Sequence, residues 1–384
     1  MKKCTAKVIL KTPAICEPLV TVLERVPDKR SDQGKRFSLG LILCIVLLGY
    51  IKGKKSVEGC VNFALARSKW FGKVFDLEFG IPHATTICRA LEVTVSRDVI
   101  RAVNYFVHLL DGIVIEKGAS IDGKTVKAIS ELKKGCKHFI SLFSHSTCHI
   151  LDQEGVESKE NEITASPRLL ERNSLIGTMI TADAMFTQTR VTKAIRESGG
   201  DYLLIVKDNH PDLQEILIPT FTDPLTKTKT VVFREKRKTR RITTTITLTS
   251  DLDLADLHNH GWTDIALVGK LERKGKRFNK GNLTPISETV FFITSRKDLT
   301  PRQAHAFLRN HWHIENKLHW QKDVTWSEDR SRARIGNTQS ILSYLRSFAL
   351  ECIKRKYKSV TTAIETFTEQ PNQYFQLLNT LQIV

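Results

Sequence analysis

The sequence predicts a mixed α/β chain: a helical N-terminal region, then an α/β domain that a β-rich insertion interrupts. Three observations predict it. Apolar residues recur at helical spacing to about residue 110, strand-like runs alternate with helical ones between 117 and 210, and Thr-rich β-branched segments fill about 218–297. The expected boundaries are 1–112 for the helical unit, 113–356 for the α/β domain with its insertion, and 357–384 for a C-terminal tail. A length of 384 residues suits about two domains.

In the helical unit, Leu39, Ile42, Leu43, Val46, Leu47 and Tyr50 define one helix, and Val57, Cys60, Val61, Phe63 and Ala64 a second. Pro82 precedes a third, for which Thr85 and Thr86 offer starts. Strands follow at Ala119 to Asp122, Phe139 to His145 and Thr147 to Leu151, the last two close enough for a hairpin. Ser166-Pro167 reads as a helix start with Pro at the first helical position. A strand from Leu175 to Asp183, a helix from Gln188 to Ser198 closed by Gly199-Gly200, and a strand from Tyr202 to Val206 complete the α/β pattern. In the insertion, strands at 226–230, 242–248, 266–268 and 289–294 are separated by charge runs at 234–241 and 270–280. Thr300-Pro301 caps a helix running past Glu315 to Lys322, and Ile341 to Ile353 forms a last apolar stripe.

Lys and Arg number 59 against 41 Asp and Glu, a net charge of +18, which points to a polyanionic partner. The longest apolar run, Leu39 to Ile51, has 13 residues, whereas a bilayer span needs about 20. That excludes a membrane helix there. Eight scattered cysteines without a C-x-x-C pair suit reduced thiols in the cytosol.

Three carboxylates carry the chemistry. Asp122 and Asp183 each end a predicted strand, where an α/β sheet presents functional groups. Glu315 lies mid-helix in Asn310-His311-Trp312-His313-Ile314-Glu315, and Lys322, seven residues on, is expected on nearly the same face. Such a trio is suited to hold two Mg²⁺ ions about 4 Å apart for phosphodiester chemistry. Each acid taken alone reads equally well as a turn, cap or helix-pair residue.

These residues resemble the DDE transposases of bacterial insertion sequences, in particular the H-repeat-associated type. The matches are Asp122-Gly123-Lys124, Asn161-Glu162-Ile163, Asp183-Ala184 with Gln188, Gly200 to Leu204 with Lys207-Asp208-Asn209, His311 to Trp320, Asp323-Val324, and Glu328 to Arg332. The likeness runs from about residue 18 to 355, and includes Val26 to Arg30 in the helical unit. It implies an RNase H-like core, with the β-rich insertion between the second Asp and the Glu. The spacing agrees: 132 residues separate Asp183 from Glu315, against 61 between Asp122 and Asp183.

The resemblance further implies strand cleavage and transfer at element ends, with Asp122, Asp183 and Glu315 as catalytic metal ligands. Mg²⁺ is the expected cofactor and Mn²⁺ its substitute. DNA is the partner, a homodimer pairs two ends, and the site of action is the bacterial nucleoid in the cytoplasm. Lys124, Lys207, Lys236, Arg237, Lys238, Arg240, Arg241, Arg309 and Lys322 are the expected DNA contacts, with the basic run at 273–280. Leu308 and His311 replace a family Tyr and Arg, His210 replaces a Gln, and Glu235 to Arg241 replaces a His-Gly-Arg-x-Glu element. These departures make an inactive or repurposed DNA-binding relative the alternative.

Overall fold

In the computed structural model, the described residues are 9–10, 17–114, 117–125, 138–156, 161–237, 239–252, 254–279, 282–331, 333 and 336–384. The helical region contains α1 (Leu19–Glu24), α2 (Leu39–Ile51), α3 (Val57–Leu65), α4 (Ala84–Val93) and α5 (Ser96–Asp111). The α/β region follows with β1 (Gly118–Thr125), β2 (His138–Ser144), β3 (Ile150–Val156), α6 (Glu162–Glu171), β4 (Met179–Ala182), α7 (Thr189–Glu197) and β5 (Asp201–Val206). After α8 (Pro211–Thr222) come β6 (Lys229–Arg237), β7 (Arg240–Thr249), β8 (Leu267–Asn279) and β9 (Asn282–Thr294). The chain ends in α9 (Pro301–His313), a π-helical segment (Ile314–His319), α10 (Trp320–Trp326), α11 (Thr338–Lys356), α12 (Val360–Glu369) and α13 (Pro371–Thr380).

Two compact units divide these elements. One comprises Met1–Ile115, Gly123–Ala165 and His313–Val384, the other Glu116–Asp122 and Ser166–Trp312. In the first, α2 is buried on every side, so it forms the centre of the core rather than an amphipathic surface helix. Ser38 caps it, its hydroxyl accepting from the Leu41 amide at 3.1 Å. Gly49 lets α3 approach closely, because a Cβ there would lie 2.4 Å from Cys60 Sγ and 2.9 Å from its Cα. The segment expected as a tail instead supplies α12 and α13, whose Phe367, Tyr374, Leu377 and Leu378 are buried. Tyr374 donates to the Leu48 carbonyl at 2.9 Å, and the Trp326 indole to that of Tyr50 at 3.0 Å. Strands β2 and β3 pair antiparallel, as the short interval between them predicts.

The second unit is built on a mixed sheet of order β1-β4-β5-β9-β8-β7-β6. β1, β4 and β5 are parallel neighbours, and β9 joins β5 antiparallel through Phe291 opposite Val206 to Thr294 opposite Leu203. The insertion therefore extends the same sheet. This is a mixed α/β, RNase H-like fold with a helical N-terminal region.

Several expectations change. The charge runs at 234–237 and 270–279 do not interrupt strands; they lie within β6 and β8, because edge and hairpin strands leave their side chains to solvent. Helix α6 begins at Glu162 and contains Pro167, since Asn161 caps it by accepting from the Thr164 amide at 2.9 Å. His83 rather than a threonine caps α4. Thr300 does cap α9, in a reciprocal box: its hydroxyl accepts from the Gln303 amide, and Gln303 Oε1 accepts from the Thr300 amide at 2.9 Å.

Candidate active site and nucleic-acid surface

The parallel pairing of β1 with β4 stops at Ile121 opposite Ala182, and Asp122 and Asp183 each come next. Asp183 follows the end of β4, whereas Asp122 lies inside β1, which runs on to Thr125 rather than ending at the carboxylate as expected. Residues in register point to the same face of a sheet, and adjacent strands lie about 4.8 Å apart. The two carboxylates thus come side by side where the pairing of β1 with β4 stops.

The loop after β5 wraps the second of them. Lys207 Nζ donates to Asp183 Oδ1 at 2.9 Å, and Asn209 Nδ2 donates to the Ala184 carbonyl at 3.1 Å. His210 Nε2 lies 3.2 Å from the same carbonyl. Burial raises the Asp183 carboxyl, but the Lys207 bond and charge, with that of His311, hold it below its ordinary value. His311 is buried, and burial keeps it below the usual histidine range although Asp122 and Asp183 pull the other way. Its Nδ1 lies 3.3 Å from Thr181 Oγ1, which is 3.0 Å from Ser120 Oγ. A row of buried hydroxyls thereby seats the imidazole beside both acids.

Glu315 belongs to the other unit and is exposed on the π-helical segment. A π turn takes more residues than an α turn, so the seven-residue interval to Lys322 no longer closes on one face. Lys322 accordingly is 1% exposed, its ammonium 3.2 Å from Glu328 and 3.0 Å from Ser343 Oγ. Lys124 also turns inward, to Asp323 at 2.8 Å and Glu328 at 3.0 Å. Arg346 reaches Glu328 at 3.5 Å. Both lysines were expected at phosphates; here they neutralise a fully buried carboxylate. Gly123 is required beside them, because a Cβ would lie 2.3 Å from the Glu162 carboxylate. The matched Asp-Gly-Lys and Asn-Glu-Ile motifs therefore meet at this point.

The remaining expected DNA contacts separate by face. Lys236 pairs with Arg241 across β6 and β7, and Arg241 with Lys276 across β7 and β8. Arg234 and Lys274, two residues away along their strands, share that face, and all five side chains are exposed. Like charges directly opposite repel, so this row favours an anion laid across it. Arg237 and Arg240 lie on the opposite face, both engaged with Glu235. Arg309 is exposed, with its charge acting on Glu235 and His305. Lys238, Lys280 and Arg332 lie outside the described residues.

The donor chemistry suits a hard divalent cation. Asp122 and Asp183 supply carboxylate oxygens, and the Lys207 ammonium beside Asp183 shows that the strand edge accepts positive charge. Among the described residues no group of three or more His, Cys, Asp or Glu side chains is gathered closely enough to hold a metal ion.

The sheet order, with the insertion extending the same sheet, defines an RNase H-like fold. A family model described as "Transposase DDE domain" matches residues 115–352, and one described as "DDE_Tnp_1-associated" matches residues 20–106. The chain belongs to the DDE transposase family, of the type associated with H repeats. It is 29% identical over 367 residues to "Putative transposase YncI" of Escherichia coli O157:H7, covering 90% of this chain and 92% of that one. It is 29% identical over 339 residues to "H repeat-associated putative transposase YhhI" of Escherichia coli K12, covering 85% and 88%. No helix among the described residues is long and apolar enough to cross a membrane.

Proposed function

We propose that this protein cuts the ends of an insertion sequence and joins them to target DNA by metal-dependent phosphoryl transfer. The observation that carries the reading is that Asp122 and Asp183 directly follow the last paired residues of adjacent parallel strands, within a chain of the DDE transposase family. Asp122, Asp183 and Glu315 are assigned as the ligands of Mg²⁺, with Mn²⁺ as a substitute. Those carboxylates would hold the metal, and the chemistry it would supply is Lewis-acid activation of the attacking hydroxyl and of the leaving oxygen.

The protein's own groups prepare that site. Lys207 holds the Asp183 carboxyl below its ordinary value, and His311 is buried beside the acids, where burial disfavours its charged form. Arg234, Lys236, Arg241, Lys274 and Lys276 offer one cationic sheet face to the DNA backbone, where each contact releases counterions. A homodimer pairing two ends, working at the nucleoid, completes the proposal.

The test is Mg²⁺-dependent cleavage of the gene's flanking DNA by purified protein, with Asp183→Asn alongside. Defined cuts, absent in the variant although it still binds DNA, support the assignment. Binding without cutting in Mg²⁺ and Mn²⁺ alike favours the inactive or repurposed relative, which the replaced element at Glu235 to Arg241 already motivates.

A further inference from the structure

A second cationic site is a cleft of about 520 Å³ lined by Cys148, Lys317, Lys354, Tyr357 and Lys358. Its base is closed by carboxylates that are already committed. Arg355 donates to both oxygens of Asp111 at 2.8 Å and to Glu351 at 2.6 Å, and the other Glu351 oxygen meets His149. That leaves Lys317, Lys354 and Lys358, none with a carboxylate partner among the described residues. Lys317 Nζ is 3.1 Å from His313 Nδ1 and 3.9 Å from Cys148 Sγ. Lys354 donates to the Lys317 carbonyl at 3.1 Å, which holds its ammonium beside the same segment.

The wall opposite is preset. Ser144 Oγ accepts from the Thr147 amide at 3.0 Å and from the Thr147 hydroxyl at 2.8 Å, and the Cys148 amide donates to the Ser144 carbonyl at 3.1 Å. Cys148 is thereby fixed at φ +60°, in the left-handed region a non-glycine residue seldom occupies. Three cations gathered in a fixed cleft repel one another until an anion enters. The volume exceeds that of a bare phosphate and admits a phosphodiester with its sugar.

We propose that this cleft binds a backbone phosphate of the DNA, outside the segment held at the carboxylates. Residues two apart on a helix face nearly opposite ways, so Lys317 looks away from Glu315 and the cleft serves a different stretch of the duplex. The inference rests on the transposase reading above and adds a contact to it.

The experiment uses the full-length protein and a duplex spanning an element end with its flank. Binding is followed by fluorescence anisotropy across a salt series, for wild type and for Lys317→Gln/Lys358→Gln, which keeps the Lys354 bond to the Lys317 carbonyl. Loss of this one phosphate contact should lower the slope of log K against log salt by about 0.9, and Lys317→Arg/Lys358→Arg should keep it. In the wild type, alkylation of Cys148 by iodoacetamide, read by peptide mass spectrometry, should slow several-fold with DNA bound and not with millimolar inorganic phosphate. That second reading needs no variant to fold. An unchanged slope with undiminished Cys148 alkylation overturns the cleft while leaving the transposase reading intact. Equal protection by inorganic phosphate with an unchanged slope makes it a free-anion site and overturns the DNA assignment. Wild-type protein that binds no DNA defeats the transposase reading, and this ligand with it.

Discussion

Glu328→Gln tests the charge cluster that sequence reasoning assigned to DNA. The carboxylate is fully buried and has Lys124, Lys322 and Arg346 within 3.5 Å. Removing one partner of a buried ion pair costs about 3–5 kcal/mol, because the charge left behind stays desolvated. Lys322 bears that cost, its side chain being 2% exposed. Against a typical stability of about 5–15 kcal/mol, the loss should be plain in equilibrium urea unfolding at pH 7. Lys322→Met with Glu328→Gln should regain much of it, since the double change removes the stranded charge as well. A single-variant cost under about 1 kcal/mol, or a double variant no more stable than the single, would refute the reasoning.

The pH dependence has a defined sign. Burial raises the Glu328 carboxyl, but the three cations outweigh it and hold the group below its ordinary 4.5. A carboxyl depressed on folding contributes stability that is present above its unfolded pKa and lost as pH falls through the folded one. Wild type should therefore lose stability below about pH 4.5 more steeply than Glu328→Gln. Lys322 runs the other way. Burial pushes its ammonium down to about 8 from 10.5, so its charge weighs against folding below about pH 8, and that cost fades as pH rises toward 10.5.

Replacing Arg234, Lys236, Arg241 and Lys276 by Gln should flatten the salt dependence of DNA binding by about 0.9 per lost contact, read in the same salt titration. Arg237→Gln/Arg240→Gln, on the opposite face, should leave the slope near wild type, and equal effects from both sets would dismiss the face assignment. Lys207→Met should move the Asp183 carboxyl back up toward its ordinary 3.8, shifting the acid limb of the cleavage profile to higher pH. An unmoved limb would show that Lys207 does not set that group. Gly49→Ala should cost about 1–3 kcal/mol by forcing α2 from α3, checked by thermal unfolding.

The sequence carried the fold through its periodicities, because the alternation of strands and the Thr-rich insertion are one-dimensional signals. It also ended the first strand at Asp122, whereas β1 runs on to Thr125, and placed Asp183 at a strand end, for a strand followed by a carboxylate is legible without knowing its neighbour. That β1 and β4 are adjacent and in register is not, since register depends on pairing partners remote in the chain. The basic residues show the same division. Lys236 and Arg237 are consecutive and chemically alike, yet the pleat sends them to opposite faces, and Glu235 claims the one on its own side. Alternation alone would have separated the two had the run been read as strand; high charge density made it read as a loop. Lys322 was misjudged for a different reason. A seven-residue interval specifies a shared face only in an unbroken α-helix, and the π turn from Ile314 to His319 breaks that phase without a proline or glycine to announce it. The one hint lay downstream. Glu328 follows a segment with three aromatic or β-branched neighbours, Val324, Thr325 and Trp326, and an acid folded back into a core must bring its cations with it. Lys124 and Lys322 are those cations, and the chain positions that looked most like DNA contacts are the ones the buried carboxylate had already taken.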